Sequence, residues 1–250
     1  QMLNMLENFE VQAMKRNSTE FVHMLTEIQR LAYADRAIHL GDPDFYPSPV
    51  PMLISKDYAK KRLGLISMDK ATPSSEIAAG STTPESMETT HYSAMDKFGN
   101  TVGITTTINL SFGNKKIVDG AGFLLNNEMD DFASSPGSQN AFGLIGYEAN
   151  SIKPAKRPLS SMSPTIVLNP EGESLMTIGA AGGSRIITTV LQVIISVVDH
   201  KLNVQEAINL GRTHSQWIPD VIRYEGINDM NTKSNESVSY THLRAHETRL

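Results

Sequence analysis

From Asn17-Ser18-Thr19-Glu20, which has the form of a capping box, Phe21, Met24, Leu25, Ile28, Leu31 and Ala32 recur at helical spacing; Asp35 interrupts the stripe, Ile38 resumes it and Gly41 ends it. Met24 therefore reads as core. A shorter helix is predicted from Ser55 to near Gly64. The pattern then changes: Ala71 to Met87 reads ATPSSEIAAGSTTPESM, with almost no large apolar residue, and predicts a solvated linker that does not pack. Thr90–Met95 and Thr101–Leu110 have strand character and flank Asp96-Lys97-Phe98-Gly99-Asn100, a turn of hairpin length. A turn centred on Phe98 sets the sum of paired residue numbers near 196. Thr89 then falls opposite Thr107, with Thr105, Thr107 and Asn109 on one face. Further strands are predicted at Thr165–Leu168 and Leu175–Ile178, joined across Asn169 to Glu173, followed by an apolar helix over Ile186–Val198. Asn203-Val204-Gln205-Glu206 caps a last helix that stops at Gly211, and no internal repeat is visible.

At 250 residues with 40% hydrophobic content, the chain is large enough for one large or two small domains. A net charge of −5 without a basic stripe argues against a nucleic-acid partner. The longest apolar run, Ile186–Val198, is interrupted by Thr188, Thr189, Gln192 and Ser196 and is too short to span a bilayer. With no Cys there is no thiol nucleophile, disulfide or Cys-based metal site, and either redox compartment is permitted.

Two polar clusters have complementary chemistry. Leu124 to Phe132 reads LLNNEMDDF and gathers Glu128, Asp130 and Asp131, a set fit for an ammonium group or, less well, a metal; no His stands near it and its spacing is not that of an EF-hand. Lys156 to Pro164 reads KRPLSSMSP and offers hydroxyls and positive charge to a carboxylate. Each alone also reads as a solvated loop, but together they match an amino acid.

Glu88-Thr89-Thr90-His91-Tyr92-Ser93 closes the linker and opens the hairpin. Thr-Thr-His is ordinary strand sequence, yet Thr89 stands where cleavage after Glu88 would give one residue both a hydroxyl and a free amine. An α-amine of reference pKa about 7.7 to 8.0 can accept the hydroxyl proton and so activate the nucleophile. Gly179-Ala180-Ala181-Gly182-Gly183-Ser184-Arg185 joins a strand to the Ile186 helix. It is either a plain turn or a place where backbone N–H groups hold an oxyanion. The spacing is neither a Walker loop nor a GxSxG elbow.

These segments, with LGDPDF at Leu40–Phe45, PSSEI at Pro73–Ile77, TTHYS at Thr89–Ser93, KRPLSSMSPT at Lys156–Thr165, GGSRIITTVLQ at Gly182–Gln192 and the HxQW of His214–Trp217, resemble the γ-glutamyltranspeptidases over about nine tenths of the chain. The resemblance implies an α+β fold, the four-layer αββα sandwich of N-terminal nucleophile hydrolases, here incomplete. It implies that Thr89 is the nucleophile, freed by autocatalytic cleavage between Glu88 and Thr89, and that Thr107 hydrogen-bonds it. Asn109, Glu128 and Asp131 would hold the α-amino end of a γ-glutamyl donor, Ser160 and Ser161 its α-carboxylate, and Gly182 and Gly183 would form the oxyanion hole. Glutathione or another γ-glutamyl compound would be the donor, and water, an amino acid or a dipeptide the acceptor; no metal or other cofactor is implied. A related amidase, such as a cephalosporin acylase or a poly-γ-glutamate-processing enzyme, and an inactive fragment are the alternatives.

By the same resemblance, residues 1–88 are the end of a large subunit with its linker, and 89–233 a truncated small subunit. The two would pair as a heterodimer from one precursor, located in the periplasm or secreted. Residues 234–250 read as a non-native tail, like a translated adapter, which removes His242 and His246 from any site. Phe142, in a lid-like loop over Pro136 to Tyr147, stands where bacterial members often carry Tyr, so the ring cannot bond Asn109 and lid closure loses that support. His91 is expected to pack beside the nucleophile, His214, Gln216 and Trp217 to build structure near the core, and His23, His39 and His200 to be solvated. Of the sequons at Asn17, Asn109 and Asn235, that at Asn109 conflicts with a pocket role.

Overall fold

The computed structural model describes residues 1–77 and 89–225. Helices α1 (Met2–Leu6), α2 (Thr19–His39), α3 (Val50–Leu53) and α4 (Lys56–Leu63) precede segment 78–88. After it come the hairpin β1 (Thr90–Met95) and β2 (Thr101–Thr106), the hairpin β3 (Thr165–Leu168) and β4 (Ser174–Ile178), α5 (Ile186–Val198), α6 (Val204–Asn209), and the short pair β5 (Thr213–His214) and β6 (Arg223–Tyr224). Glu88, most of the predicted linker, Asn235, His242, His246 and the whole 234–250 tail lie outside the described residues.

Local signals set the helix ends. The Ser18 hydroxyl accepts the Phe21 N–H at 3.3 Å to start α2, the Ser55 hydroxyl accepts that of Tyr58 at 3.2 Å to start α4, and Asn203 with Glu206 forms a full capping box on α6. α6 ends at Asn209, two residues before the predicted Gly211. α1 and α3, too short for a 3.6-residue period to show, had no counterpart in the pattern.

α2 is buried on almost every side, because α1, α4 and α5 surround it: Met5 and Leu6, Ala59, and Leu191 and Ile195 close one core around Phe21, Met24, Leu25 and Ile28. Two expectations fail for that reason. His23 is buried and its Nε2 lies 2.7 Å from the Ser67 carbonyl, whereas Ile38, beyond the packed stretch, is 40% exposed. Asp35, predicted as a break in the stripe, is buried with Arg62 at 2.9 Å and Gln1 Nε2 at 2.6 Å. His39 and His200 are half-buried, and the His200 ring packs edge-on against Phe21 at 5.8 Å.

The near side of the predicted linker also packs. Arg30 Nη1 donates to Glu27 at 3.2 Å and to the Thr72 carbonyl at 2.5 Å, and its Nη2 donates to the Ser74 hydroxyl at 3.0 Å and pairs with Asp220. Ser74 N–H donates to Asp220 at 2.9 Å and its hydroxyl to the Trp217 carbonyl at 2.6 Å. Composition cannot reveal a serine whose partners lie 143 and 146 residues away. Arg30→Ala removes the cation beside buried Glu27, whose carboxylate keeps the Thr72 N–H at 3.2 Å, and is expected to lower stability by about 3 kcal/mol, measured by urea unfolding at pH 7.

β1 and β2 pair from Thr90↔Thr106 to Met95↔Thr101, the register anticipated from the turn. β2 stops at Thr106 rather than Leu110: Thr107 Oγ1 accepts the Asn109 N–H at 2.9 Å and Asn109 adopts φ +75°, so the face alternation predicted through Thr107 and Asn109 is lost. The hairpins lie against each other where glycine allows it, with Gly103 beside Thr177 and Gly179 beside the His91 ring. On its other face, β3–β4 sets Val167, Met176 and Ile178 against Ile186, Val190 and Ile194 of α5. Among the described residues the strands form three antiparallel pairs rather than continuous sheets, with α5 packed on one face of β3–β4.

Candidate active site

β4 ends in a turn that only glycine fits easily: Gly182 has φ +128° and Gly183 φ +55°, and the chain passes directly into α5. Both glycines are buried. The Phe142 ring rests on the Cα of Gly183, so closely that a side chain there would overlap it. Tyr33 of α2 braces the same turn, its hydroxyl donating to the Ser184 carbonyl at 2.5 Å.

One turn along α2 from Tyr33, Arg36 bonds to one polar cluster and lines a cleft with Asp131 of the other. Its Nη2 donates to Ser161 Oγ at 3.1 Å and to the Leu159 carbonyl at 3.4 Å, and it attracts the carboxylate of Asp131. Burial pushes the Asp131 carboxyl up to about 7, and Glu128 and Asp130 add to that, against the pull of Arg36 and a 3.2 Å hydrogen bond from Asn140. Burial raises Glu128 as well. Half-buried carboxylates with raised pKa beside one guanidinium have the chemistry to accept an added ammonium.

Asn109 is 3% exposed and donates through Nδ2 to the Asn127 carbonyl at 3.2 Å, while Asn127 Oδ1 accepts the Leu110 N–H at 3.1 Å. Asn109 is thereby tied to the turn that carries Glu128 and Asp131. Ser160 is exposed and its hydroxyl accepts the Met162 N–H at 3.1 Å, outside the Arg36 link; with Arg36, Leu159 and Ser163 it lines a cavity of about 400 Å3. Thr89, half-buried, directly precedes β1, and one further step of the ladder brings it to Thr107. Two residues on, the His91 ring sits 2.8 Å from Thr105 Oγ1 and 3.0 Å from Ser93 Oγ, against Gly179. The root of β1 is thus held beside the strand that leads to Gly182 and Gly183.

The lid-like loop is held by packing. Phe142 is 6% exposed in a core with Tyr33, Ile145 and Trp217; Gln216 Nε2 donates to the Phe142 carbonyl at 3.0 Å, and Asp130 accepts the Ala141 N–H at 2.7 Å. His214 supports this core as a neutral ring: burial lowers it to about 3, with Thr188 Oγ1 at 2.8 Å and Gln216 Oε1 at 2.9 Å. Tyr33 and Arg36 escaped the pattern reading. Their one signal is YADR, a charged break at the end of an apolar stripe.

A γ-glutamyltranspeptidase family model matches residues 1–247. The chain is 49% identical over 226 residues to the glutathione hydrolase proenzyme of Escherichia coli (strain K12), which covers 90% of this chain and 39% of that protein. It therefore spans about two fifths of that relative's length. A crystal structure of the Helicobacter pylori γ-glutamyltranspeptidase T380A mutant is 49% identical, with a TM-score of 0.58 over 63% of this chain and 84% of that one. The cephalosporin acylase of Bacillus halodurans superposes on 100% of this chain and 42% of its own at a TM-score of 0.76 and 21% identity, a likeness of fold alone. The mixed helices and strands are those of the N-terminal nucleophile hydrolase fold.

Proposed function

Since the chain belongs to the γ-glutamyltranspeptidase family, we propose that its full-length parent is made as one precursor, cuts itself between Glu88 and Thr89, and transfers γ-glutamyl groups. The observation that carries the reading is Arg36, which donates to Ser161 and lines one cleft with Asp131. An α-amino acid donor has an ammonium and a carboxylate on one carbon, and these two groups need opposed subsites close together. Asn109, Glu128 and Asp131 take the ammonium, and Ser160 and Ser161 take the carboxylate.

In this reading the Thr89 amine accepts the proton of its own hydroxyl as Oγ attacks the γ-carbonyl carbon, with the Thr107 hydroxyl orienting it. The N–H groups at Gly182 and Gly183 hold the tetrahedral oxyanion. The amine returns the proton to the departing nitrogen, leaving a Thr89 ester that water, an amino acid or a dipeptide resolves. Glutathione and other γ-glutamyl compounds are the donors, the two pieces stay together as large and small subunits, and the location is periplasmic or secreted. Purified full-length parent should yield a second N-terminus at Thr89 and release p-nitroaniline from the γ-glutamyl anilide far faster than from the glutaryl one. An uncut, active protein would overturn the mechanism, and a preference for the glutaryl anilide would make it an acylase.

Asp131 gives this reading a pH signature. Only the ionised carboxylate attracts the donor ammonium, and a carboxyl titrating at about 7 is ionised more fully as pH rises. KM for a γ-glutamyl anilide should fall up to about tenfold per pH unit from 5 to 7 and then level off. Asp131→Asn should raise KM and abolish that slope.

A further inference from the structure

The run that presents Ser160 and Ser161 belongs to no helix or strand, yet its root is pinned. The Asp42 carboxylate, 4% exposed, accepts Arg157 N–H at 2.8 Å and Nε at 3.0 Å on Oδ2, and Nη2 at 2.6 Å on Oδ1, and Asp44 N–H reaches Oδ1 at 3.1 Å. Backbone and guanidinium of one residue thus close on one carboxylate, which fixes both the path and the direction of the chain at Arg157. Pro158 follows with its restricted φ, and Leu159 N–H donates to Asn150 Oδ1 at 3.0 Å. Gly41, beside Asp42, lies so near the Ala149 carbonyl that any side chain would overlap it, so the two segments meet without slack. The Arg157 fork holds the Asp42 carboxyl well below the usual carboxylate range, so the clamp stays charged throughout an assay at neutral pH.

We infer that Asp42 is a positioning residue for the carboxylate end of the donor: through Arg157 it sets where Ser160 and Ser161 stand, without touching substrate itself. The inference rests on the donor orientation proposed above. Arg36 governs the far side of the same run, at Leu159 and Ser161. Asp42 governs the near side, so the serines are held from two directions. A loop displaced by an ångström there weakens the grip on a donor carboxylate and leaves the ester chemistry at Thr89 as it was.

The test compares two donors on the full-length enzyme: γ-glutamyl-p-nitroanilide, and the same compound with its α-carboxylate converted to the primary amide. Asp42→Asn should raise KM for the acid about 10- to 100-fold with kcat within about threefold, and leave KM for the amide unmoved. Arg157→Gln should act in the same direction but less, since its backbone N–H still reaches Asp42; its side chain is 66% exposed, so it keeps the test open if Asp42→Asn does not fold. An equal KM rise for both donors, a loss in kcat alone, or no change would overturn the inference. Should the unaltered enzyme fail to distinguish acid from amide, the donor orientation itself falls.

Discussion

Thr89→Ala in the full-length parent is expected to leave one uncut polypeptide and to lower release of p-nitroaniline by about 10^4- to 10^6-fold. In the proposed mechanism the size follows from the double duty of one residue: the substitution removes the hydroxyl that attacks and, by preventing cleavage, also withholds the amine that activates it. Thr89→Ser keeps both groups and should still cut itself and turn over, about tenfold slower, because it loses only the methyl that restricts χ1. Intact mass and a rate with γ-glutamyl-p-nitroanilide read both steps. Activity above a hundredth of the parent's in Thr89→Ala would mean the nucleophile lies elsewhere.

The second large effect is expected at Gly183. Alanine there must adopt φ +55° and place its methyl into the Phe142 ring, so Gly183→Ala carries a left-handed backbone penalty and an overpacking penalty together. The backbone penalty is worth about 1–2 kcal/mol and the overpacking about 1–3 kcal/mol, so the sum should appear as a loss of about 2–5 kcal/mol in unfolding free energy. In the proposed mechanism Gly183 N–H faces the developing oxyanion, and displacing it should lower kcat about 10^2- to 10^3-fold. A second substitution separates the effects. In a Phe142→Ala background the new methyl has room, so Gly183→Ala should cost less stability there than in the parent while its effect on kcat persists; if the effect on kcat disappears in that background, Gly183 acts only through packing.

What the sequence disclosed and what it hid divide along physical lines. α5 spans Ile186–Val198 as predicted, α4 starts after Ser55 and gives way at Gly64, and α6 begins in its capping box, because those limits are written in residues a few positions apart. The β1–β2 register was legible for the same reason, since a short turn fixes it. The end of β2, the burial of His23 and the tie at Ser74 were not, because each is decided by partners distant in sequence. The site divides in the same way. Glycines, carboxylates and serines announce themselves by clustering, whereas Arg36 acquires its place only when the fold carries Ser161 to it across 125 residues.

The core around α2 has a consequence for the protein's history. Leu191 and Ile195 of α5 complete the same cluster as Met24, Leu25 and Ile28, on opposite sides of the Glu88–Thr89 bond. If the full-length parent cuts that bond as proposed, a cluster assembled by one chain comes to belong to two molecules. Reassembly after melting then becomes a bimolecular encounter and depends on dilution, which the newborn precursor never faced. The cut protein would then live on a shape it inherited and, at low concentration, would have no ready means of making again.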